Sequence, residues 1–193
     1  MIKIYIKEIK KFNEGETEII KKALSSEAFE RLNKKRNEDL HLASLCALSL
    51  LTDEQRTDLC YTENGRPHFK TIDGDISISH SKTYVAVAIS NSKNVSVGID
   101  IEDVPTYSAD NSALNRFLTE NEKTALSKGI PYIEIWTKKE ALFKFLKNDS
   151  TQFIHLDSTL PEAYSASFTT TKIENSTLTA CTPKNEIIEI IQK

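Results

Sequence analysis

The most regular hydrophobic pattern in the chain spans residues 95–102. Val95, Val97, Ile99 and Ile101 occupy every second position, which is the period of a β-strand with one face in a core. The opposite face of this predicted strand then carries small and acidic side chains, Ser96, Gly98, Asp100 and Glu102.

Alternating apolar positions predict further strands along the chain. They are residues 2–9, 75–81, 84–90, 163–170, 176–181 and 186–191. Two shorter strands are predicted on either side of a turn centred on Asn64 and Gly65, a dipeptide that favours hairpins.

Helical patterns fall between these strands, at residues 16–35, 38–51, 112–128 and 132–147. In the third helix, Thr119 and Glu122 have the spacing of a capping box. In the fourth helix, Trp136, Glu140 and Lys144 lie four residues apart and share one stripe. The order of elements predicts an α+β fold with two halves that are joined by a polar linker near residues 104–111.

Composition narrows the class of protein. Hydrophobic residues make up 39% and charged residues 27% of the chain, as in ordinary globular proteins. A net charge of −3 argues against a broad nucleic-acid-binding surface, and no apolar run is long enough to predict a membrane span. Cys46, Cys60 and Cys181 are odd in number and widely spaced. They predict free thiols and hence a cytoplasmic location.

Asp100 and Glu102 are the first candidate for chemistry. Residues at i and i+2 on a strand face stand about 6.5–7 Å apart at their Cα atoms, so two carboxylates there repel each other unless a cation is bound. Mg²⁺ suits such a site because it binds one or two carboxylates together with waters and phosphates. The alternative is a strand end whose polar face meets solvent.

Other charged residues have an ordinary alternative as well. Arg66 projects from the predicted turn and could bind a phosphate or remain an exposed arginine. Glu140 and Lys144 could form a surface i,i+4 ion pair. Their helix is apolar around most of its circumference, however, and a charged stripe on a buried helix needs a partner other than water.

Four motifs in a fixed order carry a resemblance to a known family. They are Gly65-Arg66-Pro67 with Phe69, Ile78-Ser79-His80-Ser81, Val97-Gly98-Ile99-Asp100-Ile101-Glu102, and Trp136-Thr137-x-Lys139-Glu140-Ala141-x-x-Lys144. Residues 117–122 resemble the F-x-x-x-x-E segment that the same family has between the last two motifs. Across residues 26–147 the chain resembles the 4′-phosphopantetheinyl transferase superfamily, specifically its Sfp type.

The resemblance implies an activity and an architecture. The family transfers the 4′-phosphopantetheine arm of coenzyme A to a serine of an apo acyl or peptidyl carrier protein and releases 3′,5′-ADP, with Mg²⁺ on the pyrophosphate. The expected fold has two similar α+β halves, residues 1–104 and 105–193, which are related by a pseudo-twofold axis. Coenzyme A would lie in the cleft between them, and the enzyme would act as a monomer.

The resemblance also implies residue roles, carried over position by position. Asp100, Glu102 and Glu140 would hold the metal. Coenzyme A would be bound by His80, Ser79, Arg66, Arg31, Ser44 and Lys139. The catalytic residues would be Glu140, Lys144 for the pyrophosphate charge, and Glu122 for orienting a metal-bound water or the carrier serine.

Two departures from the family pattern leave alternatives open. A glycine-rich turn that many members have after the last motif is replaced by Lys147-Asn148-Asp149-Ser150, and Ala28 stands where some members have a basic residue. Coenzyme A binding would then depend more on Arg31, Lys34 or Lys35. The rival functions are a non-catalytic relative that binds coenzyme A or a carrier protein, and a different Mg²⁺ enzyme such as a phosphoanhydride hydrolase. The sequence contains neither a P-loop motif nor G-x-S-x-G.

Overall fold

The computed structural model describes residues 1–104, 115–147 and 152–193. Its strands are β1 Ile2–Glu8, β2 Leu59–Tyr61, β3 Pro67–Phe69, β4 Ile76–His80, β5 Tyr84–Ser90, β6 Gly98–Asp103, β7 Ala166–Ile173, β8 Ser176–Pro183 and β9 Ile188–Gln192. Its helices are α1 Thr17–Lys22, α2 Ser26–Asn33, α3 Glu38–Ser49, α4 Asp53–Asp58, α5 Glu120–Ser127 and α6 Tyr132–Leu146.

The strands form two larger sheets and one hairpin. One sheet has the order β4-β5-β1-β9, the other has the order β6-β8-β7, and β2 pairs with β3. The predicted α+β class is confirmed. The last strand, β9, runs parallel to β1 in the first sheet. Strand β6 instead pairs with β8 in the second sheet. The division at residue 104 and the pseudo-twofold relation stay predictions. Residues 105–111 of the predicted linker lie outside the described residues.

The alternation in residues 95–102 identifies the central core. Val97, Ile99 and Ile101 are fully buried and pack with apolar residues of β1, β5 and β8. The strand itself begins at Gly98, later than predicted. Helix α6 lies directly on its polar face, so Gly98 and Asp100 are buried and Glu102 is only partly exposed. A Cβ atom added to Gly98 would stand 2.0 Å from the backbone oxygen of Ala141.

The prediction of one helix over residues 16–35 is wrong. Two short helices occupy this stretch, and Ser25 separates them. The Ser25 hydroxyl accepts a hydrogen bond from the backbone N–H of Ala28 at 3.1 Å and so caps α2. It also donates to the backbone oxygen of Leu59 at 2.5 Å, which ties the start of α2 to β2.

The other helices are close to the predicted positions. The helix predicted at residues 38–51 is α3, Glu38–Ser49, which Asn37 caps, and the helix predicted at residues 132–147 is α6, Tyr132–Leu146. Residues 112–114 lie outside the described residues, and the Thr119 capping box starts α5 at Glu120, later than the predicted start. In the part of the chain that the structure describes, no helix is long and apolar enough to cross a membrane. All three cysteines are free, as predicted.

Candidate active site

A cleft runs between the β2–β3 hairpin, the end of β4, helices α2 and α3, and helix α6. Its larger part is a cavity of about 430 Å³ that is lined by Arg66, Glu140, Lys144 and Lys147 among others. An adjoining cavity of about 180 Å³ is lined by residues that include Arg31, Lys35, Ser44 and His80. The two cavities share Gly65, Pro67 and Ile78, so they form one continuous groove.

Asp100 lies beneath this groove with only 3% of its surface exposed. Its Oδ1 atom accepts hydrogen bonds from the Ser79 hydroxyl and from the Lys144 ammonium, both at 2.8 Å. Its Oδ2 atom is buried and has no hydrogen-bond partner. Buried carboxylate oxygens are nearly always bonded, so this atom marks a position where an additional partner would bind.

Lys144 joins α6 to the strand that carries Asp100. Its Nζ atom also donates to the Ser79 hydroxyl at 3.1 Å and to the backbone oxygen of Ile99 at 3.0 Å. The ion pair of Lys144 is therefore with Asp100 across the fold, and the side chain is not simply part of a surface i,i+4 pair with Glu140.

The acidic side chains near Lys144 repel each other. Burial raises the pKa of Glu102 to about 7, and the negative charges of Asp100, Glu140 and Asp103 add to this effect, while Lys144 opposes it. Burial likewise raises the pKa of Glu140, against the attraction of Lys144. A bound cation would relieve this repulsion and bring both carboxyl groups to the charged state.

These residues fit a Mg²⁺ site that is completed by substrate. Among the described residues, no three His, Cys, Asp or Glu side chains are gathered as a ready metal-binding group. Mg²⁺ commonly needs only one or two carboxylates, with waters and substrate phosphates as its other ligands. Asp100 matches that requirement because its Oδ2 atom has no partner. Glu102 matches it because its raised pKa reflects a carboxyl group that lacks a compensating positive charge.

The smaller cavity has the character of an anion site. The residues that line it in the described part of the chain include Arg31, Lys35 and His80 and no acidic residue. Lys35 donates to the Ser44 hydroxyl. Burial and the nearby charge of Arg31 lower its pKa, which is the response expected of a cation without a counterion. Burial also lowers the pKa of His80.

Arg66 is more deeply engaged than a turn arginine would be. Its side chain is 18% exposed and pairs with Asp75 at 3.1 Å. It also donates to the backbone oxygen of Lys144, which ties the hairpin to α6. The Lys147 ammonium contacts the other oxygen of Asp75 at 2.9 Å. This Asp75 cluster could not be predicted from the sequence, because a single aspartate before a strand has no distinctive spacing.

The structure does not bring Glu122 and Lys139 into the groove. Both are fully buried, and the Lys139 ammonium donates to Glu122 at 2.8 Å. The Glu122 carboxylate also accepts from the backbone N–H groups of Thr119 and Ser158, at 2.8 and 2.9 Å. The predicted capping box is confirmed. The predicted contact of Glu122 with a carrier serine stays a prediction.

Comparison with known proteins identifies a family. The family model of the 4′-phosphopantetheinyl transferase superfamily matches residues 96–187. The 4′-phosphopantetheinyl transferases AcpT of Salmonella typhi and Salmonella typhimurium are each 30% identical to the chain over 135 residues, which is 65% of this chain and 67% of the relative. The matched family region includes Asp100, Glu102, Glu140 and Lys144. The chain therefore belongs to the 4′-phosphopantetheinyl transferase superfamily.

Proposed function

We propose that this protein transfers the 4′-phosphopantetheine arm of coenzyme A to a serine of an apo acyl or peptidyl carrier protein, as a holo-[acyl-carrier-protein] synthase does. The products are the holo carrier and 3′,5′-ADP, and the reaction requires Mg²⁺. Family membership supports phosphopantetheine transfer in general. The observation that carries the proposal is the pairing of Lys144 with one oxygen of buried Asp100, whose other oxygen has no partner.

The charges along the groove suit the shape of coenzyme A. The smaller cavity would take the nucleotide phosphate, where Arg31, Lys35 and His80 line a space without acidic residues. The pyrophosphate would then lie in the larger cavity beside Lys144 and Arg66. Ser79 and Ser44 would support these contacts, since each already bonds a lysine ammonium.

In the proposed reaction, the carrier serine oxygen attacks the phosphorus that bears the pantetheine arm. A new P–O bond to serine forms, and the phosphoanhydride bond to 3′,5′-ADP breaks. Asp100, Glu102 and Glu140 would hold Mg²⁺, which supplies neutralisation of the pyrophosphate charge when it is bound. Lys144 stabilises the charge that develops on the phosphoryl oxygens and the leaving group.

The serine proton needs an acceptor close to the groove. Glu140 lines the larger cavity, and its carboxylate, charged when the cation is bound, can accept this proton. Glu122 is the residue that the family resemblance names for orienting the nucleophile. Because its carboxylate is fully buried against Lys139, we propose that it acts by fixing the position of α6.

Three further properties belong to the same proposal. The free cysteines fit a reducing cytoplasm. A single chain supplies every residue that lines the groove, so we propose that the protein acts as a monomer, which light scattering after size exclusion would test. We propose no nucleic-acid or membrane partner.

Intact-protein mass spectrometry tests the central proposal. A panel of apo carrier proteins is incubated with the protein and coenzyme A, with Mg²⁺ or with excess chelator. We expect one phosphopantetheine mass to be added only when the metal is present. Coenzyme A binding without transfer to any carrier would favour a scaffold protein, and coenzyme A cleavage without a carrier would favour a hydrolase.

A further inference from the structure

Buried polar atoms without a hydrogen-bond partner occur on β6, β8 and α6, the elements that carry or adjoin Asp100, Glu102 and Glu140. Within the described ranges, such atoms include Asp100 Oδ2, the Tyr132 hydroxyl and Thr177 Oγ1. Most buried polar side-chain atoms in folded proteins have a hydrogen-bond partner. Several unpartnered atoms in one region therefore indicate a common missing partner, such as a group of bound waters.

Thr177 is placed by the strand register. It lies directly opposite Glu102 in the pairing of β6 with β8, so the two side chains share a face of the sheet. Thr177 is 2% exposed. The next threonine on that face, Thr179, lies opposite Asp100 and shares a hydrogen bond with Thr137 at 2.9 Å. Thr179 therefore has a hydrogen-bond partner, whereas the Thr177 hydroxyl beside Glu102 has none.

Tyr132 approaches the same region from the first turn of α6. Its ring stacks on Trp136 with centroids 6.0 Å apart and an interplanar angle of 22°, which restricts the ring and fixes its hydroxyl. Burial raises the pKa of this hydroxyl, and the charges of Glu122, Glu140 and Glu102 raise it further. The hydroxyl is thus within reach of the charges of these three carboxylates and has no hydrogen-bond partner of its own.

We propose that the hydroxyls of Tyr132 and Thr177 hold the water molecules that join Glu102 and Glu140 to the bound cation. The inference rests on the proposed metal site. Protein-bound Mg²⁺ retains several waters, and groups that orient the ligands of a metal control its affinity. A hydroxyl can accept a hydrogen bond from such a water and donate one to a carboxylate. Both residues are positioning residues that act through the waters.

Direct cation binding tests this proposal independently of transfer. Free Mn²⁺ is measured by electron paramagnetic resonance during titration of the protein with coenzyme A present, and coenzyme A alone is the blank. Tyr132→Phe and Thr177→Val each remove one of the two hydroxyls and keep the side-chain size. We expect each variant to bind Mn²⁺ about tenfold more weakly, as when a supporting partner of a metal ligand is removed.

Matched controls separate this role from a general effect of losing a hydroxyl. Tyr164→Phe removes a hydroxyl that accepts from the backbone N–H of Asp157 at 3.1 Å. Thr170→Val removes a hydroxyl that bonds Thr179 at 3.1 Å. We expect both controls to bind Mn²⁺ like the wild type, and urea unfolding would identify any variant that loses stability.

The outcomes distinguish the proposed metal site from the proposed role of the two hydroxyls. Wild-type binding of Mn²⁺ that is lost in Asp100→Asn, together with unchanged affinity in Tyr132→Phe and Thr177→Val, would overturn only the role of the hydroxyls. If the wild type and Asp100→Asn bind Mn²⁺ equally, the proposed metal site is wrong and the inference fails with it.

Discussion

Asp100 and Lys144 are joined at 2.8 Å across the interface between strand β6 and helix α6. The ammonium contacts Oδ1 only, and Oδ2 is buried without a partner. One oxygen of the carboxylate therefore fixes the helix to the strand, while the other is available to a ligand. This arrangement brings a strand residue and a residue of a helix that is distant in sequence to one candidate site.

The first prediction concerns the free oxygen of Asp100. Asp100→Asn removes its charge and keeps its shape, and we expect phosphopantetheine transfer to fall by more than about 100-fold, beyond the loss from groups that only support a metal ligand. Stability should change little, since lost attraction to Lys144 is offset by relief from the charge on Glu102. Initial rates from carrier mass shift and urea unfolding measure the two effects.

Asp157→Asn is the control for that variant. This carboxylate is also largely buried, but its partners are Asn121 and Thr159. The control should lose some stability and keep its transfer rate per folded molecule. Mg²⁺-dependent transfer in Asp100→Asn at a rate near that of the wild type would contradict the assigned role.

Lys144→Met tests the cation on the other side of the same contact. The variant keeps an apolar side chain but loses the ammonium that would stabilise the pyrophosphate charge. We expect kcat to fall by about 10²–10³-fold, as when a group that stabilises a transition state is removed. Steady-state kinetics with coenzyme A as the varied substrate would separate this loss from a change in KM.

Lys138→Met is the matched control on the same helix. The Lys138 ammonium pairs with Glu134 at 2.6 Å, so the variant removes only an ion pair along the helix surface. Transfer should continue at the wild-type rate in this variant. If Lys144→Met instead loses stability and keeps its kcat, the ion pair with Asp100 is purely structural.

The raised pKa of Glu102 predicts that the free energy of unfolding depends on pH. Its pKa in the metal-free fold is about 7, above the ordinary value of 4.5. Between these values the folded state holds more protons than the unfolded state, so this group lowers the free energy of unfolding as pH rises from 4.5 through 7. Glu102→Gln should raise the stability at pH 8 by roughly 1–2 kcal/mol, a value reduced for solvent screening of a partly exposed group.

Urea unfolding at several pH values, with chelator present, measures this effect. The difference between Glu102→Gln and the wild type should shrink toward low pH, where the carboxyl is protonated in both states. Adding Mg²⁺ with coenzyme A should reverse the order at pH 8, because only the charged carboxylate binds the cation. A difference that does not depend on pH would show that Glu102 is not the group responsible.

The features that sequence predicted well are local. Alternation in residues 95–102 identified the buried face of β6, and the spacing of Thr119 and Glu122 identified the capping box of α5. Both patterns depend on neighbours within a few residues. The position of Glu140 and Lys144 on one stripe of α6 could be predicted for the same reason.

The features that sequence did not predict depend on distant contacts. The pairing of Arg66 with Asp75 and with the backbone of Lys144 forms only when the hairpin packs on α6. Full burial of Glu122 and Lys139 depends on the backbone of Leu156 and Ser158, which arrives from later in the chain. No periodicity within a single segment carries information on such contacts.

The buried pair of Glu122 and Lys139 gives a prediction on stability. Lys139→Met leaves the Glu122 carboxylate uncompensated at a position with no exposure to solvent. Removing one partner of a buried ion pair costs about 3–5 kcal/mol, and we expect a loss of that size in urea unfolding. The double variant with Glu122→Gln should recover part of it, since the amide is neutral and can still accept from a backbone N–H. A double variant no more stable than Lys139→Met would contradict the argument.

Gly98 gives the last prediction, which concerns the placement of α6. A Cβ atom at this position would stand 2.0 Å from the backbone oxygen of Ala141 and 2.5 Å from the backbone nitrogen of Phe145. Backbone atoms cannot rotate away, so Gly98→Ala must push the helix off the strand. Overpacking of this kind typically costs about 1–3 kcal/mol. Because α6 carries Glu140 and Lys144, a shift of about 1 Å should also lower transfer by about 100-fold.

Gly129→Ala separates lost stability from lost placement. A Cβ atom there would meet nothing within 4 Å, but the backbone has φ +93°, which disfavours any residue other than glycine. This control should lose about 1 kcal/mol or more and keep its transfer rate per folded molecule. Gly98→Ala should lose transfer even under conditions where urea unfolding shows it to be fully folded. Wild-type transfer by folded Gly98→Ala would mean that the chemistry tolerates displacement of α6, and the close contact at Gly98 would then serve stability alone.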